Sequence, residues 1–208
     1  YELAFRMQAS IPELTDFSGE PQHVLDLYGP EVKQRGTYAS NCLLARRLVE
    51  RGVRFVQIFL EEQPWDSHVD LAANHRGACE RTDQPVAALL KDLKQRGLLE
   101  TTLVHWGGEI GRLPVTQDKG SRGGPGRDHN GQGFSMWLAG GGIKPGGIHG
   151  ATDEFGYHAV EKRVNLYDLN ATVLHCLGID HEQLTFYHNG IQRRLTNVHG
   201  TVVKEILS

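Results

Sequence analysis

Apolar residues recur along the chain with two spacings, one typical of amphipathic helices and one typical of short buried strands. Helical spacing predicts helices over residues 37–51, 75–96 and 165–179. Short runs rich in β-branched and aromatic residues predict strands at 53–60, 101–108 and 133–142. This alternation of strands and helices predicts an α/β fold with a largely parallel sheet, in a single domain over residues 1–208.

Polar clusters follow two of the predicted strands directly. The loop Trp65-Asp66-Ser67-His68 comes after strand 53–60, and Glu109 and Arg112 come after strand 101–108. Since ligands of parallel sheets bind at the carboxyl ends of the strands, we expect these clusters to converge. Carboxylate and imidazole suit a divalent metal, and a guanidinium can bind an anionic oxygen. Each cluster is also compatible with an ordinary surface loop, and the spacing leaves both interpretations open.

A third cluster lies in the long glycine-rich loop between Glu109 and Gly133, where Arg127, Asp128 and His129 are consecutive. A loop of this length inside a compact domain is usually functional. An Asp-His pair flanked by glycines is difficult to explain by packing. We therefore predict Asp66, His68, Glu109, Asp128 and His129 as metal ligands, and Arg112 and Arg127 as residues that neutralise an anion.

Composition narrows the classes of function. The 22 basic and 25 acidic residues give a net charge of −3, so nothing favours a nucleic-acid partner. No apolar run approaches the ~20 residues of a membrane span. The 3 Cys lie in predicted helices without metal or disulfide spacing. Among the 11 His, His105 and His175 are expected in the core.

The motifs YELAFRMQ, WDSH, GGEIGRLP, GRDHNGQGFSMWLAGGGIKPG, GATDEFG and NLYDLNATVLHCLGID together resemble the bacterial family DUF1501. That family is described as sulfatase-like and is placed with the alkaline-phosphatase superfamily. The resemblance implies a doubly wound, mostly parallel sheet, a divalent metal (Zn, Mn, Mg or Ca) and a periplasmic or secreted location. It also implies that the chain is the C-terminal part of a longer sulfatase-like domain, with the nucleophile upstream of Tyr1.

Some positions depart from the family pattern. Ser67, Ile110 and Leu113 stand where the family commonly has Thr, Phe and Thr. Sulfatases, which the segment KQRGLLETTLVHWGGEIG also resembles, place a second metal ligand where this chain has Ile110. One ligand of the sulfatase pattern is therefore missing, and His129 is the candidate to replace it.

The resemblance and the clusters together predict a metal-dependent hydrolase of a small anionic ester, either sulfate or phosphate, with sulfated carbohydrates among the candidate substrates. Two alternatives remain open at this stage. One is a non-catalytic metal-binding protein with the sulfatase-like fold, and the other is a mutase-type phosphoryl transferase.

Overall fold

The computed structural model describes residues 11–117, Gly120 and residues 124–208. It divides into two compact units. The first unit consists of residues 1–98 and 117–126, and the second consists of residues 99–116 and 127–208. The motif YELAFRMQ lies outside the described residues.

The first unit is helical. It contains α1, described at residues 11–15, then α2, a short 3₁₀ helix, α3 and α4. The bounds of the last four are Gln22–Tyr28, Pro30–Lys33, Tyr38–Glu50 and Leu71–Gln95. Thr37 begins α3 by accepting a hydrogen bond from the Ser40 amide at 3.2 Å. The helices predicted over 37–51 and 75–96 are thus confirmed, although α4 begins four residues earlier than its apolar pattern.

The core of the first unit forms where α2, α3, α4 and the 3₁₀ helix meet. Its buried members are Val24, Leu25, Tyr28, Val32, Ala39, Cys42, Leu43 and Ala88. Burial raises the pKa of the Cys42 thiol to about 12, which makes this cysteine a small apolar packing group. All three cysteines are free, as their spacing predicted.

A buried ionic network joins α3 and α4. The Arg46 side chain, only 2% exposed, donates to Glu20 at 2.6 Å, to Glu50 at 2.6 Å and to Asp92 at 2.9 Å. Asp92 also accepts a hydrogen bond from the Tyr28 hydroxyl at 3.1 Å. The charges therefore satisfy one another inside the unit, which is the condition under which buried charges are tolerated.

The second unit combines eight short strands with one longer helix. The strands are β1 (Leu103–Trp106), β2 (Gly111–Arg112), β3 (His129–Asn130), β4 (Trp137–Gly140), β5 (Ala151–Thr152), β6 (Ala159–Glu161), β7 (Thr185–His188) and β8 (Ile191–Arg194). Helix α5 covers Leu166–Cys176. Its N-cap is Asn165, which exchanges hydrogen bonds with Asp168 in a capping box.

The predicted doubly wound, mostly parallel sheet is wrong. In the described residues every sheet has two strands, and each pair (β1 with β4, β2 with β3, β5 with β6, β7 with β8) is antiparallel. Segments 101–108 and 133–142 do contain strands, but they pair with each other in opposite directions. The apolar pattern predicted which segments are strands and which are helices. It did not specify which strands pair or in which direction.

The predicted strand at 53–60 is also wrong, because these residues, all of them described, form no strand. Phe55 and Phe59 are 67% and 70% exposed. A β-branched and aromatic run becomes a strand only when a neighbouring strand pairs its amides and carbonyls. The expectation that 53–60 and 101–108 belong to one sheet fails for the same reason.

Among the described residues, none of the helices combines the length and the apolar character that crossing a bilayer requires.

The buried network gives a prediction for stability. Replacing Arg46 by Met removes the cation that Asp92 and Glu20 share, and leaves Asp92 paired with Arg96 and Glu20 paired with Arg47. Unfolding should therefore become easier by about 3 kcal/mol, the lower end of the cost of breaking a buried ion pair. Urea unfolding followed by circular dichroism measures this change.

The matched control is Arg51→Met. Arg51 pairs with Glu13 at the surface, where the two side chains are 37% and 78% exposed. We expect this control to cost less than about 1 kcal/mol. Equal losses in the two variants would contradict a special role for the buried network.

Candidate functional site

Successive backbone hydrogen bonds fold the loop that carries Asp66 and His68 into tight turns. The amide of Asp66 donates to the Gln63 carbonyl at 2.9 Å, and the amide of His68 donates to the Asp66 carbonyl at 3.2 Å. Ser67, between them, is buried. This turn brings the Asp66 and His68 side chains to the same side, with Nε2 of His68 at 3.1 Å from Oδ1 of Asp66.

A hydrogen bond on the side of the ring away from Asp66 fixes the orientation of His68. Nδ1 lies 2.8 Å from Oε1 of Gln117, which can only accept a hydrogen bond. Nδ1 therefore carries the proton, and in the neutral ring Nε2 presents a lone pair towards Asp66. Residues that bind metals commonly show this arrangement, in which the nitrogen away from the metal donates to an oxygen.

Residues 124–126 run alongside the backbone that follows His68. The amide of Asp70 donates to the Gly124 carbonyl at 2.7 Å, and that of Leu71 donates to the Pro125 carbonyl at 3.1 Å. A Cβ on Gly126 would lie 2.0 Å from the His68 carbonyl carbon, so no larger residue fits at this position. The segment from Gly124 to Gly126 thus fixes the path of the chain as it leaves the Asp66–His68 pair.

In the second unit, the short β2–β3 ladder orders the other predicted residues. Arg112 is paired directly with His129, which places their side chains next to each other on one face. Asp128 accepts a hydrogen bond from the His129 amide at 2.8 Å through Oδ1. Arg112 donates to the Arg127 carbonyl at 3.3 Å, and Arg127, Asp128 and His129 are exposed.

Glu109 follows β1 and is exposed. The described residues show no ion pair or hydrogen bond of its carboxylate, so the structure assigns this side chain no packing role.

Asn130 is a residue whose importance the sequence did not reveal. It is 1% exposed, and its Nδ2 donates to the carbonyls of Gly133 at 3.2 Å and Tyr157 at 2.8 Å. Its Oδ1 accepts from the Gln132 amide at 3.0 Å. Asn130 therefore determines the shape of the loop that follows His129. Gln117 was missed as well, because a single glutamine in a long polar loop gives no distinguishing signal.

The two histidines expected in the core are both exposed, so both assignments are wrong. His175 lies on α5 and His105 lies on β1. Nε2 of His105 is 3.2 Å from the Met136 sulfur, and partial desolvation lowers the pKa of the His105 ring. Neither ring faces a carboxylate in the described residues at ion-pair distance.

The ligand atoms of Asp66 and His68 lie close enough to bind one cation together. A zinc site normally has three or four protein ligands, so this pair could supply two of them.

The close approach at Gly126 generates a prediction. Gly126→Ala places a methyl group against the His68 peptide, so the free energy of unfolding should fall by about 1–3 kcal/mol. Gly19→Ala is the control, because a Cβ at Gly19 meets nothing within 4 Å. Denaturant titration of both variants measures the difference. If Gly126→Ala is as stable as Gly19→Ala, the loop is not held at this contact.

Comparison with known proteins assigns the chain to a family but gives no activity for that family. The sequence model described as "Protein of unknown function (DUF1501)" matches residues 1–207. No curated protein and no solved structure matches the chain significantly. Because the match extends over nearly the whole chain, the protein belongs to the DUF1501 family.

Proposed function

We propose that the protein binds a divalent metal through Asp66 and His68 and uses it to hydrolyse a sulfate or phosphate ester. The observation that carries the proposal is the 3.1 Å separation between Nε2 of His68 and Oδ1 of Asp66, with the opposite side of the imidazole held by Gln117. The relationship to sulfatases is part of this proposal and rests on the motif resemblance.

Two electron-rich atoms at this distance need a cation between them. When His68 is neutral, its Nε2 lone pair and the Asp66 carboxylate repel each other, since both atoms only accept. A proton on Nε2 or a metal ion bound by both atoms removes this repulsion. The Gln117 amide oxygen accepts from Nδ1 in either case. Our choice of the metal rests on the motif resemblance, which implies a divalent ion.

The donor set narrows the choice of metal. One imidazole nitrogen and one carboxylate oxygen suit Zn²⁺ or Mn²⁺, whereas Ca²⁺ and Mg²⁺ prefer oxygen ligands alone. We therefore favour Zn²⁺ or Mn²⁺ among the four metals that the family resemblance allows. Bound there, such an ion would lower the pKa of a nucleophile and stabilise charge on the ester oxygens.

The assignment of Glu109, Asp128 and His129 as further ligands comes from the sequence and stays a prediction. Arg112 and Arg127 keep their proposed role of neutralising the anionic ester. The pairing of Arg112 with His129 in the β2–β3 ladder supports that role, because it places a guanidinium beside a candidate ligand.

Metal binding is the first test. Isothermal titration of the metal-free protein with Zn²⁺ and Mn²⁺ should show near-stoichiometric binding, and bound metal should raise the melting temperature. His68→Ala should weaken binding by about ten-fold or more. His175→Ala, which removes an exposed ring on α5, is the control and should leave affinity unchanged. Equal affinity in the two variants would remove His68 from the site.

The second test asks whether metal affinity depends on the orientation of the His68 ring, which Gln117 fixes. Gln117→Ala leaves both proposed ligands in place but releases Nδ1 of His68, so affinity should fall by roughly ten-fold. Gln117→Glu keeps an oxygen acceptor at the same position and should restore much of the loss. A loss that Glu does not restore would point to packing as the role of Gln117.

Turnover separates the remaining alternatives. The metal-loaded full-length protein should release the phenol from generic aryl sulfates or aryl phosphates, and Arg112→Lys should reduce kcat/KM without abolishing metal binding. Metal binding without turnover would identify a non-catalytic metal-binding protein. Transfer of the phosphoryl group to a hydroxyl acceptor instead of water would identify a mutase.

A further inference from the structure

The second unit contains a cleft outside the proposed metal site. It is broadly open to solvent and has a volume of about 420 Å³. Its lining consists of Pro114, Val115, Asp153, Phe155, Tyr157 and His158, and we call it the aromatic cleft. Phe155 is 72% exposed, so a ligand in the cleft can reach its ring.

The polar end of the aromatic cleft is an ordered carboxylate–imidazole pair. The Asp153 carboxylate accepts hydrogen bonds from the Tyr157 amide at 2.7 Å and from the His158 amide at 3.0 Å. Its Oδ2 also lies 3.2 Å from Nδ1 of His158. The bond from the Tyr157 amide is the main reason that the pKa of Asp153 lies below its ordinary value.

This geometry determines which nitrogen of the His158 ring can accept a hydrogen bond from a ligand. An ionised Asp153 can only accept, so Nδ1 of His158 carries the proton and the neutral ring keeps its lone pair on Nε2. In the described residues, no contact at hydrogen-bond distance involves Nε2. The ring also packs against Tyr157, with the two centroids 4.9 Å apart.

The segment that carries this pair is held in place by the loop after His129. The Tyr157 carbonyl accepts from Nδ2 of Asn130 at 2.8 Å, and the Ala159 amide donates to the Gln132 carbonyl at 2.8 Å. A Cβ on Gly133 would lie 2.8 Å from the Ala159 nitrogen, so the two segments are in close contact. The position of His158 is therefore built into the fold.

The apolar walls and the Nε2 acceptor together indicate what kind of ligand the cleft would bind. Proline, valine and two aromatic rings favour a flat apolar ring, and Nε2 of His158 favours one hydroxyl group as a hydrogen-bond donor. A sugar ring carries several hydroxyls around its rim. Besides His158, the lining offers them only the Asp153 carboxylate and the Tyr157 hydroxyl, so some would face apolar walls.

We propose that the aromatic cleft binds a small phenolic ring, whose hydroxyl donates to Nε2 of His158. The proposal is independent of the metal site, because it concerns binding and needs neither a metal nor turnover.

The test is ligand binding by the metal-free full chain, followed by NMR of ¹⁵N-labelled histidine. The probes are 4-methylphenol, toluene and methyl α-glucopyranoside. We expect 4-methylphenol to bind with a Kd on the order of 1 mM and to shift the His158 Nε2 resonance. Toluene, which lacks the hydroxyl, should bind about five-fold more weakly. The glucoside should produce no shift.

Three variants test whether His158 and Phe155 are the residues that bind the probe. His158→Phe keeps a ring but removes the acceptor, so 4-methylphenol should bind no better than toluene. His188→Phe replaces an exposed histidine on the β7–β8 hairpin and should change nothing. Phe155→Ala should weaken both aromatic probes.

The comparison of probes on the unmodified chain does not depend on any variant folding. Equal binding of 4-methylphenol and toluene, or stronger binding of the glucoside, would overturn the proposal. An unchanged affinity for 4-methylphenol in His158→Phe would also overturn it. Each of these results leaves the metal proposal unaffected.

Discussion

The contact between Gly126 and the His68 peptide is the constraint on which the first unit's polar site depends. Because a side chain at position 126 would occupy the space of the His68 carbonyl, residues 124–126 can run directly against the backbone of residues 68–71. This contact ties the far end of a long loop to the point where the Asp66 loop enters α4. Gln117, from the same loop, then reaches Nδ1 of His68. Ring orientation in this site is thus a consequence of close backbone packing.

The protein orients two imidazoles in the same way but with different partners. His68 donates from Nδ1 to the amide oxygen of Gln117, whereas His158 donates to the Asp153 carboxylate. In the neutral ring, both arrangements place the proton on Nδ1 and the lone pair on Nε2. The carboxylate partner carries a negative charge, and the amide partner carries none. This difference suits the two proposed roles, since the neutral amide adds no charge to a metal site and the carboxylate strengthens an acceptor for a hydroxyl.

The two units achieve stability by different means. The helices of the first unit meet around a compact apolar cluster and around Arg46, which pairs with Glu50 on its own helix and with Glu20 and Asp92 from segments distant in the chain. The second unit has small two-stranded ladders, and isolated ladders of this size are marginal in water. Its loops are organised by buried polar side chains such as Asn130, which satisfies the carbonyls that short strands leave unpaired.

The sequence by itself determined the helices α3, α4 and α5, because each has a continuous apolar face and recognisable end signals, and it located β1 and β4. It also singled out Asp66 and His68, since a carboxylate and an imidazole two residues apart in a polar loop form a metal-ligand pattern. Only the tertiary structure decided how the strands pair, because direction and partner depend on contacts distant in the chain. For the same reason the segment 53–60, with strand composition, formed no strand. Gln117, Asn130 and the Asp153–His158 pair also became visible only in the fold, because their roles depend on what lies opposite them and not on any local pattern.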